Sequence, residues 1–110
     1  MTRPRPPRRE RDLQTAILTY LRAQRIPCWK IGSGAFRVGG RYVRMGQRGM
    51  SDILGILPGG RFLAVEVKLP GRPVSPEQRA FLELVRAAGG VGLVAYRVED
   101  VAVHIARARI

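Results

Sequence analysis

Asparagine is absent from this chain of 110 residues, cysteine and histidine occur once each, and acidic residues number only 8. Each scarcity closes a route. The single Cys28 cannot form an internal disulfide or build a multi-cysteine zinc site within one chain. A lone cysteine reads as a small buried apolar residue. His104 has no partners placed for histidine-based hydrolysis and reads as a surface or helix-end residue. No apolar run approaches the roughly 20 residues of a membrane-spanning helix. The Arg- and Pro-rich start is not followed by an apolar segment, so no secretory signal and a cytoplasmic setting are expected.

What the chain has in excess is arginine. Lys and Arg total 20, for a net charge of +12. A domain this basic repels itself unless an anion lies near, and nucleic acid is the commonest such partner. A membrane surface or an acidic protein is the other possibility. The preference for Arg over Lys, with no Asn, fits a GC-rich genome or a hot habitat equally well.

The length suits one domain with one core. Met1 to Arg9 reads as a flexible basic arm, either solvated or contacting phosphates through its arginines. Residues 10 to 110 form the expected single domain. A helix is expected from Glu10 to about Arg25, with Leu13, Ala16, Ile17, Tyr20 and Leu21 on its apolar face and Pro27 ending it. Cys28 to Ile31 is a short strand or edge. Gly32-Ser33-Gly34 is too short for a phosphate loop, and no nucleotide cofactor is expected. Ala35 to Met45 reads as a hairpin turning at Gly39-Gly40, followed by a flexible connection through Gly46 and Gly49. Asp52–Leu57 and Arg61–Lys68 form a second hairpin around Pro58-Gly59-Gly60.

Ser75-Pro76-Glu77-Gln78 starts a helix with a capping box, running to about Ala88 before Gly89-Gly90. Phe81, Leu82 and Val85 should face inward. Val91 to Tyr96 suits a buried strand, parallel to Arg61–Lys68 across the helical crossover. A last helix covers Glu99 to about Ala108. The expected fold is α/β, a mixed central sheet flanked by helices in the order α-β-β-β-α-β plus a C-terminal helix.

Glu66 and Lys68 lie two apart on a strand and share a face. A three-residue turn pairs Leu57 with Arg61 and brings Asp52 opposite Glu66, on that same face. A two-residue Gly59-Gly60 turn would instead put Asp52 opposite Val67. That register needs Pro58 in the closing pair, where its missing N–H is a handicap. Two carboxylates side by side repel, and a divalent cation resolves the conflict. Oxygen ligands of this kind suit Mg²⁺ or Mn²⁺, and Lys68 can orient or deprotonate water or stabilise developing charge. A surface Glu66–Lys68 ion pair is the plainer alternative, but both faces of the strand are largely apolar.

Arg37, Arg41, Arg44 and Arg48 gather in and just past the first hairpin. They are candidates for phosphate contact, or a solvated face. Trp29 and Tyr42 could stack on bases, although few aromatics are available for the core and these would more often serve there. Gln14, one turn after Glu10, either shares its face or is solvated.

The ordered set of Glu10, Ser51-Asp52, Glu66-Val67-Lys68 and Ser75-Pro76-Glu77-Gln78 resembles the VRR-NUC family of the PD-(D/E)XK nuclease superfamily. Gly49-Met50-Ser51-Asp52-Ile53-Leu54-Gly55 is similar to that family's motif around its metal-binding aspartate. The resemblance covers about Glu10 to Ile105. Where many relatives carry Val or Ile and then Pro before the aspartate, this chain has Met50 and Ser51, which removes no chemical group.

The resemblance implies that Asp52, Glu66 and the backbone carbonyl of Val67 bind Mg²⁺ or Mn²⁺, with Glu10 approaching directly or through water. Lys68 would be the catalytic lysine, and Gln78 would position the site or the phosphate. It further implies a homodimeric endonuclease acting on branched or structured DNA such as Holliday junctions, or nicking. Similar single domains occur in phages, which would place the chain in the host cytoplasm. A non-catalytic DNA-binding module with the same fold is the competing reading, and RNA is a further possible substrate.

Overall fold

The computed structural model describes residues 7–31, 35–44 and 49–108, with backbone alone for 35–38 and 42–44. Most of the N-terminal arm, the Gly32-Ser33-Gly34 loop, and Gly46 and Arg48 of the connection lie outside the described residues.

Helix α1 (Glu10–Ala23) buries Leu13, Ile17, Leu18 and Leu21 along one face, as 3.6-residue periodicity requires. It ends two residues earlier than periodicity suggests. Arg25 takes a left-handed φ of 61°, and the Ile26 N–H returns to Leu21 O at 3.0 Å, closing the helix with a Schellman-type turn. Strand β1 (Cys28–Lys30) follows, then a hairpin of β2 (Ala35–Val38) and β3 (Arg41–Arg44). Next come β4 (Ile53–Ile56), β5 (Phe62–Val67), helix α2 (Pro76–Ala87), β6 (Val91–Ala95) and helix α3 (Val98–Ala108).

Four strands form the central sheet in the order β1-β4-β5-β6, and β2-β3 forms a separate two-stranded sheet. The expected α-β-β-β-α-β series is therefore the path through the central sheet, with the first hairpin set between its first two strands. β1 and β5 run antiparallel to β4, and β6 runs parallel to β5. Ile53 pairs with Val65 and Ile56 with Phe62, while the Leu57 N–H donates to Arg61 O at 2.8 Å. This is the register of the three-residue turn. Pro58–Gly60 forms one 3-10 turn, in which Gly59 and Gly60 have φ of 84° and 83°, a region that glycine enters without a Cβ clash.

Alternation along β5 divides the core in two. Leu63, Val65 and Val67 join Leu13, Ile17, Leu21, Leu93, Val101 and Ile105 under α1 and α3. Ala64 packs with Leu82 and Val85 of α2 on the other face, with Leu54, Phe81 and Val94 alongside. Glu66 shares the parity of Ala64 and so belongs to the α2 face. Cys28 is buried, as a lone apolar cysteine should be. Trp29 departs from the expectation of a core aromatic: it is 51% exposed, because among the described elements α2 packs over β5 and β6 rather than over the edge strand β1.

Candidate active site

The hairpin register carries Asp52 to the position opposite Glu66, one residue beyond the last paired position of β4. Asp52 is held there from both sides. Its backbone oxygen accepts the Ile31 N–H at 2.7 Å, and its side-chain Oδ2 accepts the Val67 N–H, also at 2.7 Å. Gly49 sets the approach to this position. Its φ is 85°, and a Cβ there would stand 2.6 Å from Glu77 O. The Gly49–Asp52 run therefore lies hard against the first turn of α2.

Glu66 is 1% exposed, on an inner strand of the sheet. One of its oxygens is well served. Gln78 Nε2 donates to Oε1 at 2.8 Å, and Lys68 Nζ stands 3.8 Å from the same atom. The capping box fixes this contact. Gln78 Oε1 accepts the Ser75 N–H at 2.9 Å, and the Gln78 N–H donates to Ser75 Oγ at 3.1 Å. With its oxygen committed to the cap, the amide turns its nitrogen toward Glu66. Lys68 is half-buried, and its N–H continues the parallel ladder by donating to Ala95 O at 3.0 Å.

The other oxygen of Glu66, Oε2, is buried and has no hydrogen-bond partner. A buried carboxylate left this way is costly. Burial first, then the negative charge of Asp52, push the Glu66 carboxyl from its ordinary 4.5 up to about 8. Lys68 opposes the rise, and the charge of Glu10 adds to it. The carboxyl is thus held toward its neutral form, for want of a positive charge beside it. An orphaned buried oxygen, on a residue set opposite a second carboxylate, fits a hard divalent cation, whose ligands are oxygens of this kind.

The structure thus brings Asp52, Glu66, Lys68 and Gln78 together. Glu10, at the start of α1, is half-buried and acts on Glu66 only through its charge. Among the described residues, no three His, Cys, Asp or Glu side chains form a metal-ligating cluster. Arg37 lies on β2 and Arg41 and Arg44 on β3, in the two-stranded sheet that is not hydrogen-bonded to the central one. Arg41 is exposed, and Arg48 is outside the described residues. Ser51, which sequence reasoning gave no role, is 1% exposed with an unpartnered Oγ beside Asp52. Its only signal was its place in the Gly-Met-Ser-Asp run.

His104 sits on α3, where its Nδ1 pairs with Asp100 O at 2.8 Å, in keeping with a satisfied helix residue. No helix among the described residues is long and apolar enough to cross a membrane. Residues 9–100 match the family model of the VRR-NUC domain. No curated protein matches the chain.

Proposed function

We propose that this chain, which belongs to the VRR-NUC family and so is a nuclease-type protein of DNA processing, is a divalent-metal-dependent endonuclease that hydrolyses phosphodiester bonds in DNA. The observation that carries this reading is the buried, unpartnered Oε2 of Glu66, on a side chain set opposite Asp52 in the hairpin register. A pure binding module gains nothing from two carboxylates turned toward phosphates.

Asp52 and Glu66 would hold Mg²⁺ or Mn²⁺. In extended backbone a residue's N–H and C=O leave on the same side, so the Val67 carbonyl, like its N–H, opens toward the Asp52 strand and would be a third oxygen for the ion. Glu10 would reach it through water. When bound, such an ion supplies an acidified water and neutralises charge on a phosphoryl oxygen. Gln78, bonded to Oε1, keeps Glu66 in one orientation and would leave Oε2 free to hold the cation. Lys68, tethered near Glu66, orients the attacking water, accepts its proton, or stabilises the negative charge that grows on phosphorus-bound oxygen. The exposed Trp29 lies two residues along β1 from Ile31, the neighbour of Asp52, and offers a stacking surface for a base near the scissile bond. Arg37, Arg41 and Arg44 on the first hairpin, and Arg48 just past it in sequence, are the proposed contacts to the DNA backbone.

Branched or otherwise structured DNA is the proposed substrate, cut by a homodimer. The exposed Phe62 and Leu84, with half-buried Phe81 and Leu54, line an apolar groove of about 540 Å³ that a second copy would cover. Light scattering behind gel filtration should give twice the chain mass for wild type and the single mass for Leu84→Glu.

The activity test is cleavage of plasmid, single-stranded, four-way-junction and RNA substrates with Mg²⁺, Mn²⁺ or EDTA. Wild type is expected to cut DNA with metal only. Lys68→Ala and Asp52→Ala are each expected to lose roughly 100-fold or more, the usual scale for a catalytic acid-base or charge-stabilising group. Metal-independent cleavage, or full activity in both variants, would overturn the mechanism. Salt-sensitive binding without any cleavage would leave the binding-module reading.

A further inference from the structure

At the end of the sheet away from Asp52 and Glu66 lies a second groove, of about 450 Å³, lined by Arg61, Arg86, His104 and Arg107 together with backbone of the α2–β6 connection. No acidic residue lines it. Two of its guanidinium groups are anchored. Arg61 Nε donates to Gly89 O at 3.1 Å and Arg86 Nε to Gly92 O at 2.8 Å. These bonds fix each side chain through Nε and leave the terminal nitrogens for another partner. His104 contributes its ring with Nδ1 already spent on Asp100 O, so Nε2 is the atom left over. The only ion pair among the described residues is Lys68–Glu66, so none of these three arginines is matched by a carboxylate there.

Three unmatched guanidinium groups around one groove repel one another, as the two carboxylates do at the opposite end. The ligand that relieves them is an anion with several acceptor oxygens, and a phosphate accepts from arginine's planar fork of donors. We infer that this groove is a second contact site for DNA backbone phosphate, separate from the site of cleavage. The identity of the anion, and only that, rests on reading the chain as a DNA-acting nuclease.

Val94, the partner of Glu66, lies four positions beyond Gly90 at the groove, a span of roughly 13 Å at 3.3 Å per residue. That corresponds to about four base pairs of duplex at 3.4 Å each. A substrate held at both ends of the sheet therefore extends well past the scissile phosphate, along the same duplex or into a second arm of a branched one.

The test measures binding of fluorescent duplex and four-way-junction DNA in EDTA, across a salt series, for the full chain. Arg107→Gln is the first variant, because Arg107 makes no hydrogen bond or ion pair among the described residues and its loss should leave the melting temperature unchanged. Arg86→Gln/Arg107→Gln is the second. Each lost contact is expected to weaken binding roughly three- to tenfold and to lower the salt slope by about one. Cleavage by both variants should show a raised KM with kcat unchanged.

Wild-type affinity and slope in both variants would overturn the inference. So would inorganic phosphate protecting the groove while DNA binding ignores the substitutions. If wild type cuts nothing yet the variants lose affinity and slope, the nuclease reading fails and the groove stands. If wild type cuts and the variants bind like it, the groove fails alone.

Discussion

Glu66 is the residue on which most of the chemistry turns, and its titration has a definite sign. Its folded carboxyl is raised from 4.5 to about 8 by burial and by Asp52. A raised acid contributes stability fully below its unfolded value, and that contribution is lost as pH climbs toward the folded one. Without metal, the melting temperature should therefore fall between about pH 4.5 and 8. Glu66→Gln should remove that part of the slope. Mg²⁺ should restore stability to wild type at pH 8, where about half of the carboxyls have already lost the proton it competes with, and do far less for the variant. Thermal unfolding with and without EDTA reads all three, and about 1 kcal/mol moves the midpoint of a domain of this size by about 4–8 °C.

Gln78 permits a sharper separation of structure from chemistry. Gln78→Glu keeps an oxygen for the Ser75 N–H, so at about pH 5, where Glu66 is protonated and can donate to the new carboxylate, the domain should unfold within about 0.5 kcal/mol of wild type, since the cap worth about 1 kcal/mol is retained. The same change replaces the donor to Glu66 with a third carboxylate beside Asp52 and Glu66. Cleavage in low Mg²⁺ should fall by at least tenfold, a charge-repulsion effect of the kind two facing carboxylates show.

At the scale of elements, the site depends on how β4 enters against α2. Gly49→Ala adds a Cβ 2.6 Å from Glu77 O at a φ of 85°. Either the Gly49–Asp52 run or the first turn of α2 must move. A loss of roughly 1–3 kcal/mol is expected from denaturant unfolding, the range for backbone strain, with cleavage reduced as well because Asp52 is displaced.

Much of this level was legible beforehand. Pro58 could not close a pair, and that one fact selected the register that faces Asp52 toward Glu66. Ser75 and Gln78 announced a capping box from their spacing alone, and their hydrogen bonds have that form. The contact from Gln78 to Glu66 was not legible, because spacing along a helix does not say which strand the helix crosses. The same holds for Trp29: alternation on a three-residue edge strand gives a side but not what covers it. The arginine groove was out of reach altogether. Arg61, Arg86 and Arg107 are brought together only by the α2 crossover and the return of α3.

For the whole molecule, the net charge of +12 is spread so unevenly that an acidic pair sits at one end of the sheet and a cationic groove at the other. DNA binding in EDTA should therefore be steeply salt-dependent. Six or more phosphate contacts would cost roughly a thousandfold or more in affinity between 50 and 200 mM salt. A shallow slope measured by fluorescence anisotropy would mean that few of the arginines reach phosphate.

The hairpin that pairs β4 with β5 has a kinetic consequence. Its strands are joined by a short turn, whereas β6 joins β5 only after the chain has passed through α2. Contacts between neighbours in sequence form at lower entropic cost and generally earlier. The repulsion between Asp52 and Glu66 would then be met on the way up the folding barrier rather than after it. In stopped-flow experiments without metal, at a pH where both carboxyls are ionised in the unfolded chain, Glu66→Gln should raise the refolding arm of the chevron. The unfolding arm should stay nearly still, the signature of an interaction already present in the transition state.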